Sequence, residues 1–468
     1  MKSHINIFFR TPFSLFFLFI IFNSFFCNIK PLVVLPFNIK IKNEETDEFF
    51  SKYISTKFEI GEPPQNIDAE INFQESDFQL TYTRKYMPFS YNKSKSITYK
   101  NTTLYRITTN NFIAGCKANE TFYFFGDENI KIKQKFENIP FFMAINADKL
   151  FNAILGFELT GMGMRGFVSS LKYAKAINSY TWTLKFKSLD EGLLIIGEEP
   201  HFYNQSYDEN KLKYTKIYIT KTFLSWSISF SSIIIGELID KNHLIGIISP
   251  DILGFIAPEE YFEYLNKLFF NKYYNEKICQ KIEIFEKNVS NNEYYDEQKI
   301  MYYKIECKRN KFTINDINIF PKLQFKNIPL NFSFAFNGID LFKEEEEKYV
   351  FQIYISDIKY WYIGRKFLYK YQLIFNEDNK LIGFYTGMKN SINKEKNNTF
   401  KIILILFFSF CFLFLIFIIF KKFRFLNKNK NYAKELEEDF RYKKNESNNI
   451  SEFKSMKNNE NKLLDKND

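Results

Sequence analysis

Residues 361–384 read WYIGRKFLYKYQLIFNEDNKLIGF. Short apolar runs flank a cluster of turn-forming residues, a strand-like pattern. Working outward, alternating apolar residues recur at 57–60, 67–73, 193–196, 230–235 and 349–355, with turn residues between the runs. This predicts an all-β architecture. Helical spacing is confined to 167–176 and 258–270, the second opening on Pro258 with Glu259 and Glu260 just behind it. No repeat of twenty to fifty residues stands out. The two halves are weakly alike: each has a small turn within its strand runs and, later, an apolar-apolar-Gly triplet.

The chain has 468 residues, a net charge of +10 and 46% apolar residues, enough for one large core or two ordinary lobes. Lysines are scattered among Asp and Glu, the pattern of a solvated surface, which excludes a nucleic-acid partner. Two stretches are more apolar than the rest. Residues 13–27, behind Lys2, His4 and Arg10, read as the apolar part of a secretory signal peptide. Residues 402–420 carry no charge and are followed by Lys421, Lys422 and Arg424. They are expected to form a transmembrane helix with a cytosolic tail, a single-pass type I topology on the secretory route or at the cell surface. The long polar tail behind that stretch argues against a lipid-anchor signal. In an oxidising lumen, Cys279 and Cys307 are the disulfide pair, and Cys116 is left as a buried thiol or as a partner of Cys27. Sequons beginning at Asn92, Asn101, Asn119, Asn204, Asn288, Asn331 and Asn397 permit glycosylation.

Six segments, in order, carry a family resemblance. Residues 58–65 (FEIGEPPQ), 91–100 (YNKSKSITYK), 152–157 (NAILGF), 192–197 (GLLIIG), 226–228 (WSI) and 361–384 resemble, at matching spacing, the motifs of pepsin-like aspartic proteases, the peptidase A1 family. The resemblance implies a bilobal β-barrel fold with a peptide cleft between the lobes. The expected layout is a signal peptide (1–27), a short segment (28–55), an N-terminal lobe (56–200), a C-terminal lobe (201–388), a linker (389–401), the membrane helix (402–420) and a disordered tail (421–468). In the family each lobe supplies one aspartate in an Asp-Thr/Ser-Gly loop, and the pair shares a proton.

Counting from Gln65 and back from Pro258 puts Asn72 and Ser249 where those aspartates belong, in loops reading Asn72-Phe73-Gln74-Glu75 and Ser249-Pro250-Asp251-Ile252. Both acids and both loop glycines are replaced. Thr108 stands at the flap tyrosine, ahead of Gly115 and the ETF of 120–122. No catalytic residue is expected. Gln74, Glu75, Thr108 and Asp251 are the cleft and flap positions, and Glu75 with Asp251 is the one pair of carboxylates near the lost dyad. His201 and His243 are isolated, so no metal site, cofactor or histidine triad is expected. The implied function is a membrane-anchored, monomeric and inactive protease homologue holding a peptide or protein segment in its cleft. Its alternatives are an active aspartic endopeptidase with a rearranged dyad, or a luminal sorting receptor acting through its tail.

Overall fold

A computed structural model describes residues 32–41, 49–50, 52–81, 91–102, 106–107, 114–125, 133–144, 153–159, 166–204, 206–219, 225–287, 299–386, 408–409, 411–422, 424, 427 and 429–445. The expected signal peptide, Cys27 and Thr108 lie outside the described residues. Two units separate at Lys389: 1–389 and 390–468.

In the first unit the described strands form sheets of 14, 9 and 4 strands. Alternation is the cause. In Lys52–Ile60, Ile54, Phe58 and Ile60 are buried while Lys57 faces solvent, so one face feeds the core. FEIGEPPQ is the turn joining this strand to Gln65–Asn72. Gly61 sits at φ +85°, a conformation that other residues resist, and its N–H donates to Thr121 O. Gln65 then ties the hairpin to the YNKSKSITYK segment in both directions, Nε2 to Asn92 O at 3.1 Å and Asn92 N to Oε1 at 2.9 Å. Buried Glu120 accepts from the hydroxyls of Tyr91 and Thr98, so its oxygens find hydrogen-bond partners in the core.

The segment 28–55 holds more than a lead-in. Its strand Val33–Ile41 lies between Glu191–Ile196 and Lys52–Ile60, antiparallel to both. From the other end of the unit, Leu373–Asn376 pairs with Thr181–Phe186, and Leu381–Tyr385 with Leu212–Lys216. First and last strands therefore share one sheet. Cys279 and Cys307 face each other across Cys279–Lys287 and Lys299–Lys308 and are disulfide-bonded, whereas Cys116 is a buried free thiol.

The all-β expectation needs correcting. Helices occur at Phe167–Tyr173, Pro200–Tyr203, Glu260–Leu265, Asn271–Asn275, Ile314–Asn318, Gly338–Leu341 and Arg365–Lys370. Glu260–Leu265 and Asn271–Asn275 are joined through the π-helical Asn266–Phe270 into one continuous helix, the others are short, and the first is placed by burying Phe167, Val168 and Leu171. Local capping adds to this at Thr313 and Asn337, each of which exchanges hydrogen bonds with an Asp three residues on. The fold is predominantly β with helices set against the sheets.

The second unit overturns the transmembrane expectation. Helix covers 411–422 and 429–445, the latter within the tail expected to be disordered. No helix among the described residues is long and apolar enough to cross a membrane. Residues 402–407 and 410 lie outside the described residues.

Candidate functional site

Two loops in the first unit share one backbone plan. Gln65–Asn72 runs parallel to Ala153–Gly156, which is antiparallel to Phe78–Thr81, itself parallel to Lys133–Ala144. Ile245–Ile248 runs parallel to Trp361–Ile363, which is antiparallel to Phe255–Pro258, itself parallel to Ile353–Ser356. Each plan ends on a glycine pressed against the loop. A Cβ on Gly156 would stand 2.6 and 2.5 Å from the carbonyl oxygens of Glu75 and Asp77, and one on Gly364 would stand 2.4 Å from those of Ile252 and Gly254. Glu75 and Ile252, like Asp77 and Gly254, are offset by the same 177 residues that separate Asn72 from Ser249. Asn72 and Ser249 therefore occupy equivalent positions.

The loops are closed differently. Asn72 uses both ends of its amide: Oδ1 accepts from the N–H groups of Gln74 (2.8 Å) and Glu75 (3.0 Å), and Nδ2 donates to Glu70 Oε1 at 3.0 Å. Gln74 is exposed, whereas Glu75 is buried. Ser249 is buried, donates its N–H to Ile363 O at 2.9 Å and accepts at its carbonyl from Ile252 N–H at 3.2 Å. The second loop is held by Arg365, fully buried, whose Nη1 donates to the carbonyls of Pro250 and Asp251, each at 3.2 Å. In the resemblance, Arg365 stands where the motif has an acid.

The residues just after the two glycines extend the contrast. Glu158 N–H donates to Glu75 O at 3.0 Å. Burial, with Glu75 and Asp77 nearby, pushes its carboxyl up to about 7. The equivalent residue behind Gly364 is Lys366. Burial, opposed by Asp340 and helped by Lys343, pulls its ammonium down to about 8, and Nζ donates to Asp340 O at 2.9 Å. Aromatic packing joins the halves beneath the first loop. Trp226 Nε1 donates to Phe157 O at 2.6 Å, and Phe375 stacks on Trp182 at 3.9 Å between ring centres.

Other expected residues are scattered. His201 meets Tyr385 OH at 2.9 Å, and His243 meets Asp240 at 3.0 Å, where Tyr261 OH also donates at 2.6 Å. Among the described residues no group of three or more His, Cys, Asp or Glu is placed to hold a metal ion. Sequence reading missed Arg365 and the Glu158–Lys366 pair. The signal was present, because Arg365 breaks the motif at its acidic position.

No protein-family model matches the chain, and no curated protein matches it. Among solved structures it is similar to conglutin gamma, a basic 7S globulin from lupine seeds, at 12% identity, over 77% of this chain and 96% of that one, with a TM-score of 0.53. It is likewise similar to soybean basic 7S globulin at 12% identity, over 77% of this chain and 98% of that one, with a TM-score of 0.51. At this identity the likeness establishes the fold alone. These findings correct the assignment to pepsin-like aspartic proteases, and with it the protease-homologue function in both its inactive and active forms. Since no helix among the described residues is long and apolar enough to cross a membrane, the membrane as a partner, the membrane localisation and the sorting-receptor alternative are corrected as well. The chain has the fold of basic 7S globulins.

Proposed function

We propose that this chain is a non-catalytic binding protein on a basic 7S globulin scaffold. The observation that carries this reading is that Asn72 and Ser249, at the two equivalent positions, carry no carboxyl, and that an amide and a guanidinium, neither able to cycle a proton, hold the two loops. The Asn72 amide is spent on Gln74, Glu75 and Glu70, and the second loop is filled by the Arg365 guanidinium, which stays protonated. General acid–base hydrolysis needs a group of tuned pKa within hydrogen-bond reach of the substrate. Glu75 and Asp251 hold loop structure through their backbone carbonyls, which accept from Glu158 N–H and Arg365 Nη1.

The test uses the full chain with an unfolded protein as substrate, from pH 3 to pH 8 in about one-unit steps, the range over which carboxylates and histidine change charge. No cleavage above a no-protein control is expected at any pH. Cleavage abolished by pepstatin, or lost in Glu75→Gln, overturns the reading.

A further inference from the structure

The ladder between Val33–Ile41 and Lys52–Ile60 ends at the pair Ile41 and Lys52. Phe49 and Phe50 stand just outside it, in a turn, and belong to no strand. Two adjacent aromatic side chains in a turn need an apolar surface, and these find one in the other half of the unit. Phe49, only 2% exposed, stacks on Tyr354 with ring centres 3.8 Å apart and planes 11° from parallel. Half-buried Phe50 tilts over Tyr302 at 4.6 Å. Ring pairs of this kind attract beyond the area they bury.

The surface that receives them is distinct from the main core. Ile252, Leu253, Ile256, Tyr302 and Tyr354 build it, with Leu189 at its border. Ile252 belongs to the second loop, where its N–H donates to Ser249 O, so the aromatic pair lies directly on that loop. Lifting the pair away would break no pairing of Lys52–Ile60, because the ladder stops at Lys52. It would bare a contiguous apolar surface carrying two tyrosine rings, the composition by which proteins dock partners. The chain itself displays what fits there: two neighbouring aromatic side chains on one short segment.

We infer that the surface formed by Ile252, Leu253, Ile256, Tyr302 and Tyr354 is a docking site for a protein segment with two adjacent aromatic residues, and that Phe49–Phe50 occupies it as an autoinhibitory contact. The inference rests on the binding-protein reading above and names the class of ligand. A tethered occupant acts at an effective concentration on the order of millimolar, so a free segment of similar affinity is held off in the intact protein.

The probe is the peptide ETDEFFSK, residues 45–52 of the chain, titrated by calorimetry into the full chain as wild type and as Phe49→Ala/Phe50→Ala. The double variant should bind it saturably below about 1 mM, and wild type at least tenfold more weakly. A control peptide, ETDFEFSK, with the phenylalanines separated, should bind the variant at least tenfold more weakly than the probe. No saturable binding to the folded variant overturns the site; so does equal affinity for variant and wild type, or for the two peptides. If the double variant fails to fold, Phe50→Ala alone takes its place, since it keeps the Phe49–Tyr354 stack. A gain in probe affinity over wild type then upholds the site, and no gain overturns it. Mass spectrometry of the recovered probe separates this inference from the reading it rests on. Bound but cut peptide overturns the non-catalytic reading and upholds the docking site, whereas peptide neither bound nor cut overturns the docking site alone.

Discussion

The loop at Asn72 and the loop at Ser249 hang on the same crossing of strands and press on the same kind of glycine, yet their charges differ. Among the described residues the carboxylates around the first have no buried cation among them, whereas the second sets Arg365 and Lys366 beside Asp251 and Asp340. Around the first stand Glu70, Glu75, Asp77 and Glu158; around the second, Arg365 and Lys366 with Asp251 and Asp340. Backbone geometry is therefore set by strand pairing and glycine contact, which both halves keep. The side chains that plug each loop are free to differ, provided that every buried carbonyl and N–H finds a partner. An amide does this in one half and a guanidinium in the other.

Breaking the second plug should have the largest effect. Arg365→Met leaves the carbonyls of Pro250 and Asp251 without their donor and should destabilise the protein by about 3 kcal/mol in denaturant unfolding. A loss below about 1 kcal/mol would mean that the guanidinium is not what holds this loop.

Asn72→Asp sharpens the comparison from the other side. Its Oδ1 contacts survive, but the donor facing Glu70 becomes a second carboxylate. The variant should lose about 2 kcal/mol at pH 7 and recover as pH falls below about 5, because like charges raise the folded-state pKa and the penalty exists only when both are ionised. A loss independent of pH would point to packing instead.

The smallest effects test the Glu158–Lys366 contrast. Glu158 titrates near 7 when folded against 4.5 when free, so stability is greatest below about 4.5 and declines as pH rises through 7. Glu158→Gln should remove that decline, gaining about 1 kcal/mol at pH 8 and nothing at pH 4, the full shift being discounted for solvent screening. Lys366 is displaced the opposite way, from 10.5 to about 8, so its unfavourable burial is felt in full below 8 and fades towards 10.5. Lys366→Met should abolish the rise in stability over that upper window alone. Stability curves that respond in the same window for both variants would break the contrast.

Strand positions were legible as short apolar runs, which the fold buries on both faces: 193–196 falls in Glu191–Ile196, and 349–355 in Lys348–Phe351 and Ile353–Ser356. The FEIGEPPQ turn was legible for a local reason, since Gly61 alone accommodates its backbone. The equivalence of Asn72 and Ser249 also followed from spacing. What plugs each loop did not, because Arg365 reaches its carbonyls from 114 and 115 residues away, a distance that no local pattern encodes. The strand Val33–Ile41 escaped notice for the same reason, its outer partner being more than 150 residues on. Family likeness misled where motif matches were read as kinship: shared turns and glycines report a fold, and function resides in sites placed upon it. For the 402–420 stretch composition alone suggested a span, and no helix among the described residues is long and apolar enough to cross a membrane.

The placement of Val33–Ile41 bears on the order in which the molecule is made. At roughly 5–20 residues per second, this strand leaves the ribosome many seconds before Glu191–Ile196, its outer partner, exists. Thr181–Phe186 then waits, one edge bare, for Leu373–Asn376. Synthesis thus holds open a sheet that only the last part of the unit can close, and a nascent chain halted between the two would carry an unpaired edge ready to join another copy.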